Sequence, residues 1–400
     1  MIEPRVHLSG ADAEAARAAI HAITTDALQE EAQPAAVSST AIGLAMHGLY
    51  LDRAGLPVGD WVQEQLERGI EALGRGVLLR YWGGLPGIGW QLCHVLDPAD
   101  ADAVCSMIDE NLGAWVDRER WELDYDLVRG LVGFGMYAVA RGNHALALRV
   151  LDHLEATAET TEYGTCWFSR PEWFTGYRMA ELYPQGTYDL GVAHGQAGVI
   201  GLLARYVAAG IAPTRSGPLL ARSVEHLLAI APQRPGARFP GHGRRADEPH
   251  EPARLAWCYG DAGTALTLFA AAHAAGRQDW RAEAHEVARQ MARRPFESTG
   301  VVTAGICHGA AGVAHAFHRL YRATGDDELR EATLWWLRKT LELRRPGEGI
   351  GGYFELANDH PLAVAGLHGA TGIALVLLSA ITDVEPDWDE YFMFGVEPGA

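Results

Sequence analysis

Two cysteines and one histidine occupy equivalent positions of two short motifs, WCYGDAG (257–263) and GICHGAAG (305–312). When the motifs are aligned on their glycines, Cys258 matches Cys307, and His308 follows the second cysteine. If the motifs begin neighbouring helices, the three side chains converge. Two thiolates and one imidazole suit Zn²⁺, and three protein ligands leave the fourth position of a tetrahedral site open. The alternative is two unlinked core cysteines and a histidine that caps a helix.

A second histidine and an aspartate are candidates for proton transfer. His194 has, within AHGQAG (193–198), the position that His308 has in its own motif. A histidine there could move a proton near neutral pH, or could serve only as a hydrogen-bonding residue at a helix N-terminus. Asp126, four residues before Gly130, could orient a histidine or an arginine if it is buried, and is otherwise a loop residue.

Two more polar residues border the first cysteine of the metal motif. Arg254 lies four residues before Cys258, and Tyr259 follows it directly. An arginine at this point could pair with a buried carboxylate, or could be an ordinary loop residue.

These motifs are copies of a repeat in which Gly-x-x-Gly precedes an apolar stretch with helical spacing. The copies are Gly84–Gly87, Gly130–Gly133, Gly195–Gly198, Gly260–Gly263, Gly309–Gly312, Gly369–Gly372 and a degenerate one at Thr40–Gly43. Amphipathic stretches alternate with them, at 11–30, 59–73, 101–118, 143–158, 216–230, 278–293 and 326–343. The pattern predicts seven pairs of helices, one buried and one solvated in each pair. The glycines would allow close packing or positive φ at the helix N-terminus, where free amides could also receive an anion.

Two long connections interrupt the repeat at 159–190 and 231–253. The second is rich in Pro, Gly and Arg and is not expected to form a helix. Since it leads directly into the Cys258 motif, we predict that both connections are loops over the face that carries the chemistry. We expect residues 1–400 to form a single domain.

Charge and composition exclude several classes of partner. The formal net charge of −18 disfavours nucleic acids and anionic membranes, because both select Lys/Arg surfaces. The chain has no run of 18 apolar residues and no secretory signal, and its five cysteines are widely spaced. We therefore expect a cytoplasmic protein with free thiols that does not span a membrane.

Four segments together resemble the lanthionine synthetase C-like family, and the resemblance extends over essentially the whole chain. They are YDLVRGLVG (125–133), AHGQAGV (193–199), WCYGDAG (257–263) and GICHGAAG (305–312). The resemblance implies an all-α fold, an α/α toroid of seven inner and seven outer helices.

The resemblance also implies a set of functional residues and a reaction. One zinc ion would be held by Cys258, Cys307 and His308. His194 would transfer the proton with Asp126 as its partner, and Arg254 and Tyr259 would support the site. The family's cyclases add cysteine thiols of a dehydrated precursor peptide, leader plus core, to dehydroalanine or dehydrobutyrine. The products are (methyl)lanthionine thioether rings, and a separate dehydratase would prepare the substrate.

Three other functions stay open. One is a glutathione-binding member of the same family, which would keep the zinc ligands. Another is a zinc enzyme of the protein prenyltransferase kind, although that class needs a carboxylate ligand and a basic diphosphate pocket. The third, an α/α glycosidase, has little support because no acidic pair occupies equivalent positions of the repeat.

Overall fold

Helices make up most of the chain. The computed structural model describes residues 5–30, 36–74, 76–174, 179–231, 237–243, 252–357 and 360–396. The helices are α1 (Gly10–Gln29), α2 (Val37–Arg53), α3 (Trp61–Glu71), α4 (Leu85–Val95), α5 (Pro98–Val116), α6 (Leu131–Arg141), α7 (His144–Thr157), α8 (Met179–Leu182), α9 (Gln196–Ala208), α10 (Pro213–Ile230), α11 (Asp261–Ala275), α12 (Gln278–Ala292), α13 (Ala310–Thr324), α14 (Asp327–Glu342) and α15 (Ala370–Ser379). Two antiparallel hairpins accompany them, β1 (Glu159–Thr161) with β2 (Gly164–Cys166), and β3 (Glu355–Ala357) with β4 (His360–Leu362).

Buried helices alternate with amphipathic ones, as the repeat predicts. Every residue of α15 is buried, whereas α5 buries one stripe at helical spacing, which comprises Ala101, Cys105, Ile108, Leu112 and Val116. The buried series is α2, α4, α6, α9, α11, α13 and α15, and the amphipathic helices α1, α3, α5, α7, α10, α12 and α14 precede its members. Within the ranges given above, no helix is both long and apolar enough to cross a membrane.

The chain divides into two compact units. One comprises Met1–Leu78, Gly83–Val104 and Pro295–Ala400, and the other comprises Leu79–Trp82 and Cys105–Arg294. The first unit contains α1 to α4, α13 to α15 and the hairpin of β3 and β4. The second contains α6 to α12 and the hairpin of β1 and β2, and α5 begins in one range and ends in the other.

The loop in front of a buried helix folds back over the helix N-terminus. Before α9, the Asp189 carbonyl accepts a hydrogen bond from the Gln196 amide at 2.9 Å, and the Gly191 carbonyl accepts one from the Gly198 amide at 3.4 Å. A Cβ at Gly198 would lie 2.4 Å from the Val192 carbonyl oxygen, a distance that excludes any side chain. The first helical amides therefore bind their own loop, and the glycines serve close packing rather than anion binding.

The same folded-back loop, which we call the pre-helix loop, recurs before other members of the buried series. Before α13, amides of Ala310 and Gly312 donate to the carbonyls of Thr303 and Gly305 at 2.9 and 3.3 Å. The degenerate copy at Thr40–Gly43 differs, because α2 has already begun at Val37 and the glycine lies inside the helix.

Successive pre-helix loops of the second unit are joined by main-chain hydrogen bonds. The amide of Trp82 donates to the carbonyl of Val128 at 3.1 Å, the amide of Val128 to Ala193 at 3.3 Å, and the amide of Ala193 to Cys258 at 3.3 Å. Each of these residues lies two positions before the first glycine of its copy. Residues at equivalent positions of the copies are therefore brought side by side.

In the first unit, the segment after α15 is fixed to α13 by buried charges. The Asp389 carboxylate lies 2.6 Å from Nε2 of His315 and accepts two hydrogen bonds from the Arg319 guanidinium at 2.5 and 2.9 Å. Glu385 accepts further bonds from Arg319 and Arg322 at 2.7 to 2.9 Å. Because Asp389 and His315 are fully buried, the unit depends on this pairing.

Replacing Asp389 by asparagine should lower the free energy of unfolding by about 3 kcal/mol at pH 7, since it leaves Arg319 and His315 without their buried anion. Burial alone would raise the pKa of Asp389, but Arg319 and His315 hold it at about 2, below its ordinary 3.8. Such a carboxylate stabilises the fold above the ordinary pKa, and this stabilisation disappears between about pH 4 and pH 2. In thermal unfolding, the difference in melting temperature between the wild type and Asp389→Asn should therefore become smaller as the pH falls over this range.

The matched control is Asp387→Asn, in the same turn. Burial and the nearby Glu385 raise the pKa of Asp387, so its charge opposes folding and its removal should be neutral or stabilising at pH 7. Equal melting temperatures for the wild type and Asp389→Asn at pH 7 would contradict the assignment.

Candidate functional site

Cys258, Cys307 and His308 form a group of side chains that could hold a metal ion. One ligand atom from each lies within 4.8 Å of the others. Cys258 is buried, and Cys307 and His308 are half-buried. Bond lengths of about 2.3 Å to sulfur and about 2.1 Å to nitrogen place the ligand atoms of a tetrahedral Zn²⁺ roughly 3.5–4 Å apart. The donor set and its spacing therefore fit this ion.

The local backbone explains why each ligand lies at the end of a buried helix. Cys258 is held in the main-chain series described above, and Gly260, two residues later, has a φ of +83° that favours glycine. Cys307 and His308 end the pre-helix loop of α13.

A carboxylate that sequence reasoning missed lies beside His308. Oε2 of Glu355, on β3, is 3.7 Å from Nε2 of His308 and 3.5 Å from the Thr303 hydroxyl. A Cβ at Gly305 would lie 1.6 Å from Oε1 of Glu355, so the glycine makes room for the carboxylate. A carboxylate near a metal-binding imidazole can fix the orientation of the ring.

His194 and Asp126 form a close pair in the second unit. Nδ1 of His194 lies 2.6 Å from Oδ2 of Asp126, whose side chain is only 3% exposed. Burial alone would lower the pKa of His194, but Asp126 and, more weakly, Asp189 raise it above the ordinary value. The pair therefore favours the charged imidazolium, and Nε2 is the nitrogen left to face another molecule.

Arg129 completes the surroundings of Asp126. Its amide donates to Oδ1 of Asp126 at 2.5 Å, and its Nε lies 3.4 Å from Oδ2. Burial alone would raise the pKa of Asp126, but His194 and Arg129 together lower it. The same Nε lies 3.2 Å from Oδ2 of Asp124, and burial together with Asp126 raises the pKa of Asp124 to about 7. The arginine thus holds two carboxyl groups of one pre-helix loop.

The half-buried Tyr259 and the buried Asp189 form a second pair next to the first. The Tyr259 hydroxyl donates to Oδ2 of Asp189 at 2.8 Å, and the carboxylate is 1% exposed. Nδ1 of His242 lies 3.7 Å from the same oxygen. The ring centroids of His194 and Tyr259 are 6.2 Å apart, so both pairs belong to one site.

A cavity of about 970 Å³ in the second unit gives access to this site. Three of the predicted residues line it: His194, Tyr259 and Arg254. Arg254 is exposed, in contrast to the buried Asp126, which does not line the cavity but pairs with His194 and Arg129, which do. Aromatic residues of the 159–190 connection form much of the remaining wall, including Phe168, Phe174, Tyr183 and Tyr188.

The two long connections are only partly described. Residues 175–178 of the first, and 232–236 and 244–251 of the second, lie outside the described residues. In the second, the amides of Arg238 and Phe239 donate to the Asp261 carboxylate at 2.7 to 3.0 Å, which ties this segment to the start of α11. The predicted single domain with two loops over the site stays a prediction.

The repeat itself contained a signal for the residues that were missed. Asp124, Asp189 and Arg254 all lie six positions before the first glycine of their copies. Arg129 lies one position before that glycine, as His194 does. Comparison of equivalent positions would therefore have indicated Asp189 and Arg129, whereas Glu355 belongs to a hairpin outside the repeat.

Comparisons with known proteins agree with this architecture. A family model described as lanthionine synthetase C-like protein matches residues 82–393. Among solved structures, nisin cyclase matches with a TM-score of 0.72 at 17% sequence identity, over 92% of this chain and 93% of that chain. At this identity the match shows the fold, and it confirms the predicted all-α class, an α/α toroid.

Replacing Asp126 by asparagine should lower the pKa of His194, because the carboxylate is the largest contribution that raises it. The imidazole should then be neutral over more of the range near pH 7. NMR titration of the imidazole, assigned by comparison with His194→Gln, measures this shift. Asp117→Asn, which removes an exposed carboxylate on α5's C-terminal side, is the control and should leave the titration unchanged. An unaltered pKa in Asp126→Asn would disprove the coupling.

Proposed function

Because the chain belongs to the lanthionine synthetase C-like family, we propose that it is a zinc-dependent lanthipeptide cyclase. It adds cysteine thiols of a dehydrated precursor peptide to dehydroalanine or dehydrobutyrine of the same peptide. The family and the fold support a cyclase in general terms. The reaction, the metal and the substrate are part of the proposal.

The observation that carries the proposal is the convergence of two thiols and one imidazole, together with a histidine–carboxylate pair one loop away. The Cys258 carbonyl accepts a hydrogen bond from the amide of Ala193, the residue before His194. A thiol-activating group and a proton-transferring group would therefore lie on adjoining loops.

Cys258, Cys307 and His308 would hold the zinc ion and leave one position for the peptide thiol. A free thiol has a pKa near ~8.5 and is mostly protonated at pH 7. Zinc, when bound, would lower this pKa so that the thiol is present as a thiolate. Glu355 would keep the His308 ring in position for binding.

His194 would supply the proton that completes the addition. The sulfur forms a bond to the β-carbon of the alkene, the carbon–carbon π electrons move towards the carbonyl as an enolate, and the α-carbon then takes a proton. The thiol has lost one proton and the α-carbon has gained one, so the reaction needs no oxidant or reductant. Nε2 of His194 would donate, while Asp126 at Nδ1 holds the ring and favours its charged form.

The cavity would hold the peptide and bring one cysteine next to one alkene. Arg254 and Tyr259 line it and would support the bound peptide, and Arg254, as a cation, would also support the developing enolate. A precursor with leader and core, a separate dehydratase and a cytoplasmic location complete the proposal.

Cys307→Ala should lose both zinc and ring formation while helical content is retained, because the change removes one ligand that lies in a loop before a helix and not within the helix core. Zinc is measured by elemental analysis of the purified protein, and ring formation by the loss of alkylatable thiols from a dehydrated precursor peptide encoded beside the gene. Circular dichroism reports the fold. Cys93→Ala, which removes a thiol outside the metal group, should keep both properties. A Cys307→Ala protein with normal zinc content and activity would refute the proposal.

His194→Gln should leave zinc bound and slow ring formation by about 10²–10⁴-fold, the range expected when a general acid is lost. Glutamine keeps a polar group next to Asp126 but cannot transfer the proton. Turnover equal to that of the wild type would remove the assigned role. Adding glutathione to the same reaction tests the alternative function, since a glutathione-binding protein would give a peptide heavier by one glutathione instead of a ring.

A further inference from the structure

Asp189 is a buried carboxylate that the proposed reaction does not yet use. Oδ1 accepts the amide of Gly191 at 3.0 Å, which closes a tight turn at the start of the pre-helix loop of α9. Oδ2 accepts the hydroxyl proton of Tyr259 at 2.8 Å. One carboxylate therefore links the loop that contains His194 to the loop that contains Cys258.

The hydrogen bond fixes how Tyr259 can act. A phenol has a single proton, and here that proton points to Asp189, away from any molecule in the cavity. The Tyr259 oxygen can then offer the cavity only lone pairs. A donor role towards an enolate would require the bond to a buried carboxylate to break, which is costly.

We infer that Asp189 is a positioning residue for cyclisation, acting through Tyr259, whose hydroxyl it holds as a hydrogen-bond acceptor facing the peptide. The inference rests on the proposed function. The ring of Tyr259 neighbours those of His194 and His242, with centroids 6.2 and 5.3 Å away, so a shift of the phenol alters the space next to the proton-transferring imidazole. Small displacements of this kind can cost about 10²-fold in rate.

Asp189→Asn tests the inference because asparagine has nearly the same shape as aspartate, but one of its two terminal atoms is a hydrogen-bond donor instead of an acceptor. The asparagine oxygen can still accept the Gly191 amide, but the side-chain amide then donates to the Tyr259 oxygen, and the phenol proton must turn towards the cavity. Tyr259→Phe removes the hydroxyl altogether. The double variant has no hydroxyl for either side chain to orient.

The expected result is a non-additive cycle. Asp189→Asn and Tyr259→Phe should each lower kcat about 10-fold, with KM changed less than about twofold, as expected for outer partners of a reactive group. The double variant should be no slower than Tyr259→Phe alone. Zinc content and affinity for the dehydrated peptide, measured by fluorescence anisotropy, should stay at wild-type values in all three.

Asp261→Asn is the matched control, because Asp261 is also a buried carboxylate of the second unit but accepts main-chain amides instead of Tyr259. Any loss of kcat caused by Asp261→Asn should multiply with the loss caused by Tyr259→Phe when the two changes are combined. If Asp189→Asn does not fold, Asp189→Ser serves instead, since serine can keep the turn to Gly191 and is too short to reach Tyr259.

Three outcomes would overturn the inference: wild-type kcat in the Asp189 variant, multiplicative effects of the two changes, or a change confined to KM. Failure of the proposed function is distinguishable, because then the wild-type protein itself would form no ring from the dehydrated peptide.

Discussion

The site depends on main-chain hydrogen bonds that join one pre-helix loop to the next. Trp82, Val128, Ala193 and Cys258 form such a series, and each loop is also bonded to the first amides of its own helix. Both kinds of bond require the loop backbone to approach the helix closely, which the glycines permit. Since the backbones are fixed in this way, side chains one and six positions before the first glycine of the Val128, Ala193 and Cys258 copies are carried to a common place. The loops at the helix N-termini therefore determine where the polar side chains of the site lie. The remaining turns of each helix contribute buried apolar residues to the core.

Charged residues at these crowded positions lose their hydration, and this cost in free energy is offset by pairing with groups of opposite charge. Asp126 is almost fully buried, yet it remains ionised because His194 and Arg129 both face it. Asp124 shares the same arginine, and its pKa rises to about 7 because one cation does not compensate two buried carboxyl groups. The imidazole of His194 thus has a near counter-ion that favours its charged form at the wall of the cavity.

Much of this arrangement could be predicted from periodicity. Glycine spacing and apolar stretches identified the buried helices, and amphipathic stretches predicted partners such as α14 (Asp327–Glu342) within two residues. The pairing of His194 with Asp126, which 68 residues separate, was expected from the family resemblance and not from periodicity. Asp189 was missed because its importance comes from Tyr259, a contact between two loops that no local pattern encodes. Glu355 was missed for a different reason, since it lies on a hairpin outside the Gly-x-x-Gly motif and only the space at Gly305 reveals where it packs.

His368 shows why position in the repeat is not sufficient for reactivity. It has the same place before its first glycine as His194, but Nε2 lies 3.2 Å from the hydroxyl of Tyr391, and the rings of Tyr391 and Phe392 pack against it. The aromatic segment after α15 therefore occupies the side of the imidazole that a substrate would need. The side chain of His194, by contrast, lines a cavity, and its Nδ1 meets a buried carboxylate from the preceding copy. The repeat offers each copy the same position, and the neighbouring segment determines whether a histidine there lines a cavity or packs against aromatic rings.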